Sequence, residues 1–167
     1  VVYDTGGTNL TPAQYMFGMH GDMGGSALAL AVFKALITTR APVRVSCYLA
    51  ISDNAIDAKS YRPNEVVKTV KGTTIETVHT DAEGRMLLVD TLAIAADRDY
   101  DMLVDFATLT GSCVAAIGTT YSGVFSNREE LYPELIAAGK SSGERLWPFP
   151  MDDDFCEPLK SKIADLK

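Results

Sequence analysis

Apolar positions along the chain follow two alternating rhythms, short unbroken runs and helical spacings. Val1–Tyr3 reads as the end of a buried strand, stopped by Gly6-Gly7. From Ser26 to Thr39 the period becomes helical, with Leu28, Val32 and Leu36 at i, i+4 and i+8 and Phe33 and Ile37 beside them. Pro42 separates this helix from Val43–Ile51, a run rich in β-branched and aromatic residues that reads as a strand. A polar stretch, Ser52–Asn64, follows. Two short strand-like pieces, Val66–Val70 and Thr73–Val78, flank a turn at Lys71-Gly72. Arg85–Arg98 repeats the helical pattern, with Leu88, Leu92 and Ala95 on one face. Met102–Ala107 is a second buried strand, Thr110–Ile117 a short helix after Gly111, Gly123–Ser126 a strand and Glu129–Ser141 an amphipathic helix.

Strand–helix–strand alternation of this kind predicts an α/β fold, with a mixed, largely parallel central sheet flanked by helices on both faces. Ligands of such sheets gather at the carboxyl ends of strands. That rule points to Asp4, to the segment after Val78 and to Thr108-Leu109-Thr110-Gly111.

The chain has 167 residues, a normal globular composition and a net charge of -7. It has no basic cluster, which argues against a nucleic-acid surface on this segment. No continuous apolar run is long enough to cross a membrane. Cys47, Cys113 and Cys156 are odd in number and far apart, as reduced thiols are, and suggest neither a disulfide scaffold nor a zinc knuckle. The chain opens inside an apolar run without Met and stops at SKIADLK without a terminating signal, so both ends read as cuts in a longer protein.

Charge draws attention to four carboxylates. Asp4 ends the first strand and Asp22 stands at a helix entrance. Asp81 and Glu83 lie in HTDAEGR, between a strand and a helix. In extended backbone, residues i and i+2 face the same way, so Asp81 and Glu83 can present two carboxylates to one point. Convergent carboxylates repel one another unless cations sit among them, and oxygen ligands suit divalent metals. Each residue also has a plainer reading. Asp22 alone is a helix cap, Asp4 before Gly-Gly a turn former and Asp-Ala-Glu a solvated surface tripeptide. Spacing by itself leaves these alternatives open.

The segment HTDAEGRMLLVD resembles the signature of the leucyl aminopeptidase family (cytosol aminopeptidase, M17-type), usually N-T-D-A-E-G-R, an apolar helix and Asp, with His79 replacing the usual Asn. VVYDTGGTNL, GMHGDMGGSA, DFATLTG, GVFSN and GERLWPFP resemble further segments of that family, in the same order. The resemblance covers nearly the whole chain and identifies residues 1–167 as an incomplete C-terminal catalytic domain, without the N-terminal domain, the upstream Lys ligand or the C-terminal remainder. It implies a two-metal aminopeptidase, a cytoplasmic hydrolase that removes N-terminal, preferably apolar, residues from peptides and assembles as a hexamer. It implies two divalent ions, Zn or Mn. Asp4 and Glu83 would bridge them, and Asp81 and Asp22 would each ligate one. Arg85 would hold a general-base anion, often bicarbonate. Met19 and Thr108 would line the pocket for the N-terminal side chain, Gly111 would leave it space, and Leu109 would offer a main-chain contact to the peptide.

The chain departs from the pattern at two places. The family's metal-binding Lys falls upstream of Val1, and Thr11 stands where the family has a catalytic Lys before Pro. A neutral hydroxyl cannot stabilise a carbonyl oxygen as a cation does, so the chain alone is expected to be a weak peptidase. His20 and His79 are the nearest polar substitutes, each more readily a structural residue. One alternative is a catalytically impaired homologue that serves as an assembly or binding module. Another is a phosphate-binding protein using Gly6-Gly7 or Gly24-Gly25. The chain has neither G-x-x-x-x-G-K-[ST] nor G-x-G-x-x-G, and Asp4 and Asp22 would repel phosphate.

Overall fold

Six short strands and five helices form from these patterns in a computed structural model that describes residues 3–167. Val1 and Val2, read with Tyr3 as the end of a buried strand, lie outside the described residues. The chain divides into two compact units, one built from the residues up to Leu109 together with Lys160–Lys167, the other from Thr110–Leu159.

In the first unit, β1 (Tyr3–Asp4) pairs in parallel with β2 (Asp53–Asn54), in the register Tyr3↔Asp53 and Asp4↔Asn54. A short α1 (Ala13–Met16) and a 3-10 turn (Met19–Gly21) lead into α2 (Gly24–Thr38). The i, i+4 apolar spacing sets α2, and the hydroxyls of Thr38 and Thr39 close it by donating to the carbonyls of Lys34 and Ala35, each at 2.8 Å. The stretch Ala13–Thr38 is apolar enough in composition for a membrane span, although polar residues break it into shorter apolar runs. The 3-10 turn interrupts it, however, and α2 itself has 15 residues, about 22 Å of helix against a hydrocarbon core of about 30 Å.

The predicted hairpin forms as β3 (Val66–Lys68) antiparallel to β4 (Thr74–Glu76). Leu166 lies along β4. Its N–H donates to the Thr74 carbonyl at 3.1 Å and its carbonyl accepts from Glu76 N–H at 2.8 Å, while the Asp165 carboxylate takes both the N–H and the hydroxyl of Thr74. α3 (Glu83–Ala95) starts two residues earlier than its apolar period suggests. Asp90, the acidic residue that closes HTDAEGRMLLVD, accepts Val70 N–H at 2.9 Å and ties α3 to the hairpin.

The second unit holds α4 (Ser112–Ile117), β5 (Ser122–Val124), α5 (Tyr132–Ser142) and β6 (Leu146–Pro148). β5 and β6 pair in parallel around α5. Phe125 stacks on Phe149 at 5.2 Å, and Tyr121 meets Trp147 edge-on at 6.4 Å.

The architecture is therefore mixed α/β, with helices and parallel as well as antiparallel pairs. The described strands form three two-stranded sheets, not one large central sheet. Val43–Ile51 and Met102–Ala107, expected as buried strands, carry no regular secondary structure. An apolar run becomes a strand only when another backbone takes up its N–H and C=O groups, and no ladder joins these two segments to a described strand. They instead line a cavity of about 970 Å³ together with the apolar faces of α2 and α3. Packing around it is loose: Leu28 is 49% exposed, Leu103 45% and Val104 62%, while Ala95 at 4% is the one buried hydrophobic residue among those described.

Candidate metal centre

The loop after β1 and the turn before α3 are fastened together by Thr80, whose exposure is 0%. The Thr80 hydroxyl reaches the Gly6 carbonyl and the Asn9 side-chain oxygen, each at 2.8 Å, and accepts Asn9 N–H at 3.0 Å. Thr80 N–H donates to Asn9 Oδ1 at 2.7 Å, and the Tyr61 hydroxyl donates to the Thr80 carbonyl at 2.8 Å. Burial, and then the negative charges of Glu83, Asp81 and Asp4, push the Tyr61 phenol up to about 12, so it remains a hydrogen-bond donor at neutral pH. This clasp brings residues some 80 positions apart to one place.

The carboxylates that converge there are Asp4, Asp22 and Glu83, each offering an oxygen within 4.8 Å of the others. Asp4 sits at the carboxyl end of β1, as the strand-end rule predicts. Its Oδ1 accepts Gly6 N–H at 2.8 Å and Asn54 Nδ2 at 2.9 Å. Its Oδ2 is buried and has no hydrogen-bond partner among the described residues. Gly6 makes this turn possible. Its φ is +79°, and a Cβ there would fall 2.3 Å from Thr11 Oγ1. Asp22 closes the 3-10 turn ahead of α2. Glu83 is the first residue of α3, and its Oε2 accepts from Asn54 Nδ2 at 2.9 Å. Burial raises the Glu83 carboxyl above its ordinary 4.5; the backbone N–H at its own position pulls it down, and the charges of Asp4, Asp81 and Asp22 push it further up.

Asp81 is near enough to act on Glu83 but stands outside the mutual cluster. The extended backbone expected for Asp81 and Glu83 is not what forms. Thr80–Ala82 is a 3-10 turn and Glu83 begins a helix, so the two side chains leave the backbone in different directions. Thr11 Oγ1 donates to Asp81 Oδ2 at 2.7 Å. His79 caps the turn, its Nδ1 accepting Asp81 N–H at 3.1 Å, which is the structural reading of that histidine. Arg85 follows Glu83 by two residues on α3, about 200° round the helix. It is exposed, and its guanidinium is in neither of the ion pairs seen among the described residues.

Glu83 and Asp22 line the 970 Å³ cavity with Met23, Thr108 and Leu109. Met19 is not among its lining residues, and Gly111 belongs to the second unit. The glycine pairs considered for a phosphate serve close packing instead. A Cβ on Gly25 would fall 2.2 Å from the Phe106 carbonyl oxygen, and one on Gly7 2.6 Å from Thr80 Oγ1. Asn54 is the residue the motifs missed. It lies in the polar stretch Ser52–Asn64, where no motif and no charge marks it.

Three carboxylates, one with a buried and unpartnered oxygen, form a donor set of the kind that suits an oxygen-seeking divalent cation such as Mn²⁺ or Mg²⁺. The cavity lined by Asp22 and Glu83 is largely apolar, so the carboxylates stand at the edge of a pocket that could take an apolar group. The sequence profile of the cytosol aminopeptidase family, catalytic domain, matches residues 1–167, and the chain belongs to that family. It is 42% identical over 167 residues to a probable cytosol aminopeptidase of Syntrophotalea carbinolica, covering 100% of this chain and 34% of the relative. Probable cytosol aminopeptidases of Stutzerimonas stutzeri and Chlorobaculum tepidum are each 40% identical, over 99% of this chain and 34% and 33% of their own length. The chain thus spans about a third of the length of these relatives.

Proposed function

We propose that this chain carries the metal centre of an aminopeptidase that hydrolyses N-terminal residues from peptides. The observation that carries the reading is the unpartnered, buried Asp4 Oδ2 beside Asp22 and Glu83. An oxygen anion buried without a donor is costly, and a cation is what removes that cost. Asp4, Asp22 and Glu83 would hold the first ion, and Asp81 would join them for a second after leaving Thr11. Divalent ions there, Zn or Mn, would polarise the scissile carbonyl and lower the pKa of water.

The chain's own residues do the rest. Thr108 and Leu109 line the apolar cavity that would take the N-terminal side chain, which favours Leu- or Met-like residues over Asp or Glu. Met19, Gly111 and Arg85, the last with its bicarbonate, belong to this reading by their motif positions. So do the hexamer, the cytoplasmic location and the joining of segments 43–51 and 102–107 into a parallel central sheet. Kinship with probable cytosol aminopeptidases favours a peptidase over an assembly module.

Leucine-amide hydrolysis with added Mn²⁺ and bicarbonate tests it, with Glu83→Ala alongside. Slow, Mn²⁺-dependent turnover that Glu83→Ala abolishes is expected. Thr11 in place of a cationic group lowers the rate by about 10²–10³. Turnover that is indifferent to Glu83 or to Mn²⁺ overturns the proposal.

A further inference from the structure

We infer that Asn54 is a positioning residue of the cation centre, whose side-chain amide aims Asp4 and Glu83 at the ion; the inference rests on the metal reading of that site. Asn54 is 4% exposed and stands in β2 directly opposite Asp4 of β1. Its Nδ2 donates to Asp4 Oδ1 and to Glu83 Oε2, both at 2.9 Å. Ionised carboxylates only accept, so the amide nitrogen, not the oxygen, faces them, and each of its hydrogens takes one carboxylate. Its backbone is held as firmly: the Asn54 carbonyl accepts both the N–H and the hydroxyl of Thr5 at 2.9 Å.

The consequence for the ligands is directional. Gly6 N–H and Asn54 Nδ2 together saturate Asp4 Oδ1, and Oδ2 is left as the oxygen presented to the cluster. On Glu83, Oε2 is taken by the amide, which fixes the carboxylate plane and leaves Oε1 to turn toward a cation. A neutral donor does this without competing for the site, as a Lys or Arg would. It also bridges two carboxylates that would otherwise repel each other, and it links the end of β1 to the start of α3. Hydrogen bonds that orient a metal's ligands typically matter by about 10–100-fold in affinity or activity.

The test is Mn²⁺ affinity of the full chain by titration calorimetry, with far-UV circular dichroism fixing the folded fraction. Asn54→Ala is expected to weaken binding by about 10–100-fold. Asn54→Ser, with one hydroxyl hydrogen for two acceptors, should fall between it and the wild type. Asn54→Asp keeps the shape, loses the donors and adds a negative charge. It binds more weakly than wild type if orientation governs, and more tightly if charge alone does. Should Asn54→Ala fail to fold, the Ser and Asp variants decide. Affinity equal to wild type in folded Asn54→Ala, or tighter binding by Asn54→Asp, overturns the inference and leaves the metal reading standing. No Mn²⁺ binding by the wild-type chain overturns the metal reading and this inference with it.

Discussion

Glu83 carries the sharpest conflict at the level of single residues, a carboxylate half-buried among three others. Its folded pKa is raised, first by burial and then by Asp4, Asp81 and Asp22. Between its ordinary value and the raised one, the folded chain therefore holds a proton there that the unfolded chain has already released. Stability from this group is fully present below the ordinary value of 4.5 and is lost as pH rises through the raised one. Glu83→Gln keeps an oxygen for Asn54 and removes the charge. The metal-free variant should melt at a higher temperature than wild type at pH 7, and the gap should close toward pH 4. A gap that stays constant with pH would mean that the charge of Glu83 is not what costs stability. Asp4 and Glu83 were legible in the sequence because each sits beside a motif at a strand or helix end. Asn54 was not, since an amide in a polar stretch looks like any loop residue until its partners are known. The separation of Asp81 from the cluster was hidden for another reason: one 3-10 turn undoes the two-residue periodicity on which the expectation rested.

Among the elements, those whose signal is local came through. α2, α3 and the β3–β4 hairpin lie within a few residues of where apolar period and turn chemistry put them. Segments 43–51 and 102–107 did not become strands, because pairing depends on a distant partner and nothing in a short apolar run states which one. What holds the 102–109 segment against α2 is close backbone approach at Gly25, where a Cβ would fall 2.2 Å from the Phe106 carbonyl oxygen. Gly25→Ala forces α2 and this segment apart. Overpacking of this kind costs about 1–3 kcal/mol, to be read as a lower urea midpoint. Because Asp22 stands just ahead of α2, Mn²⁺ affinity should fall in the same variant. An unchanged midpoint would show that the segment moves aside freely.

For the whole molecule, the α/β class was readable from alternation, and membership of the aminopeptidase family from motif order. The looseness of the first unit was not, because composition counts apolar residues without saying whether their partners are present. The cavity between α2, α3 and the two unpaired segments measures about 970 Å³ and is largely apolar-lined. The metal-free chain should therefore enhance the fluorescence of anilinonaphthalene sulfonate at pH 7 while keeping its helical circular dichroism. A dye signal no greater than that of a tightly packed control protein would mean that the cavity closes in solution. The pairing of residues 165–166 with β4 has a consequence in time as well as in space. Thr74 and Asp165 are 91 positions apart, and a ribosome adding about 5–20 residues per second needs roughly 5–20 s to cover that distance. During that interval the hairpin waits with one edge bare, while the whole of Thr110–Leu159 emerges and can close on itself first. The order of synthesis thus runs against the order of assembly: the unit begun first is the one finished last.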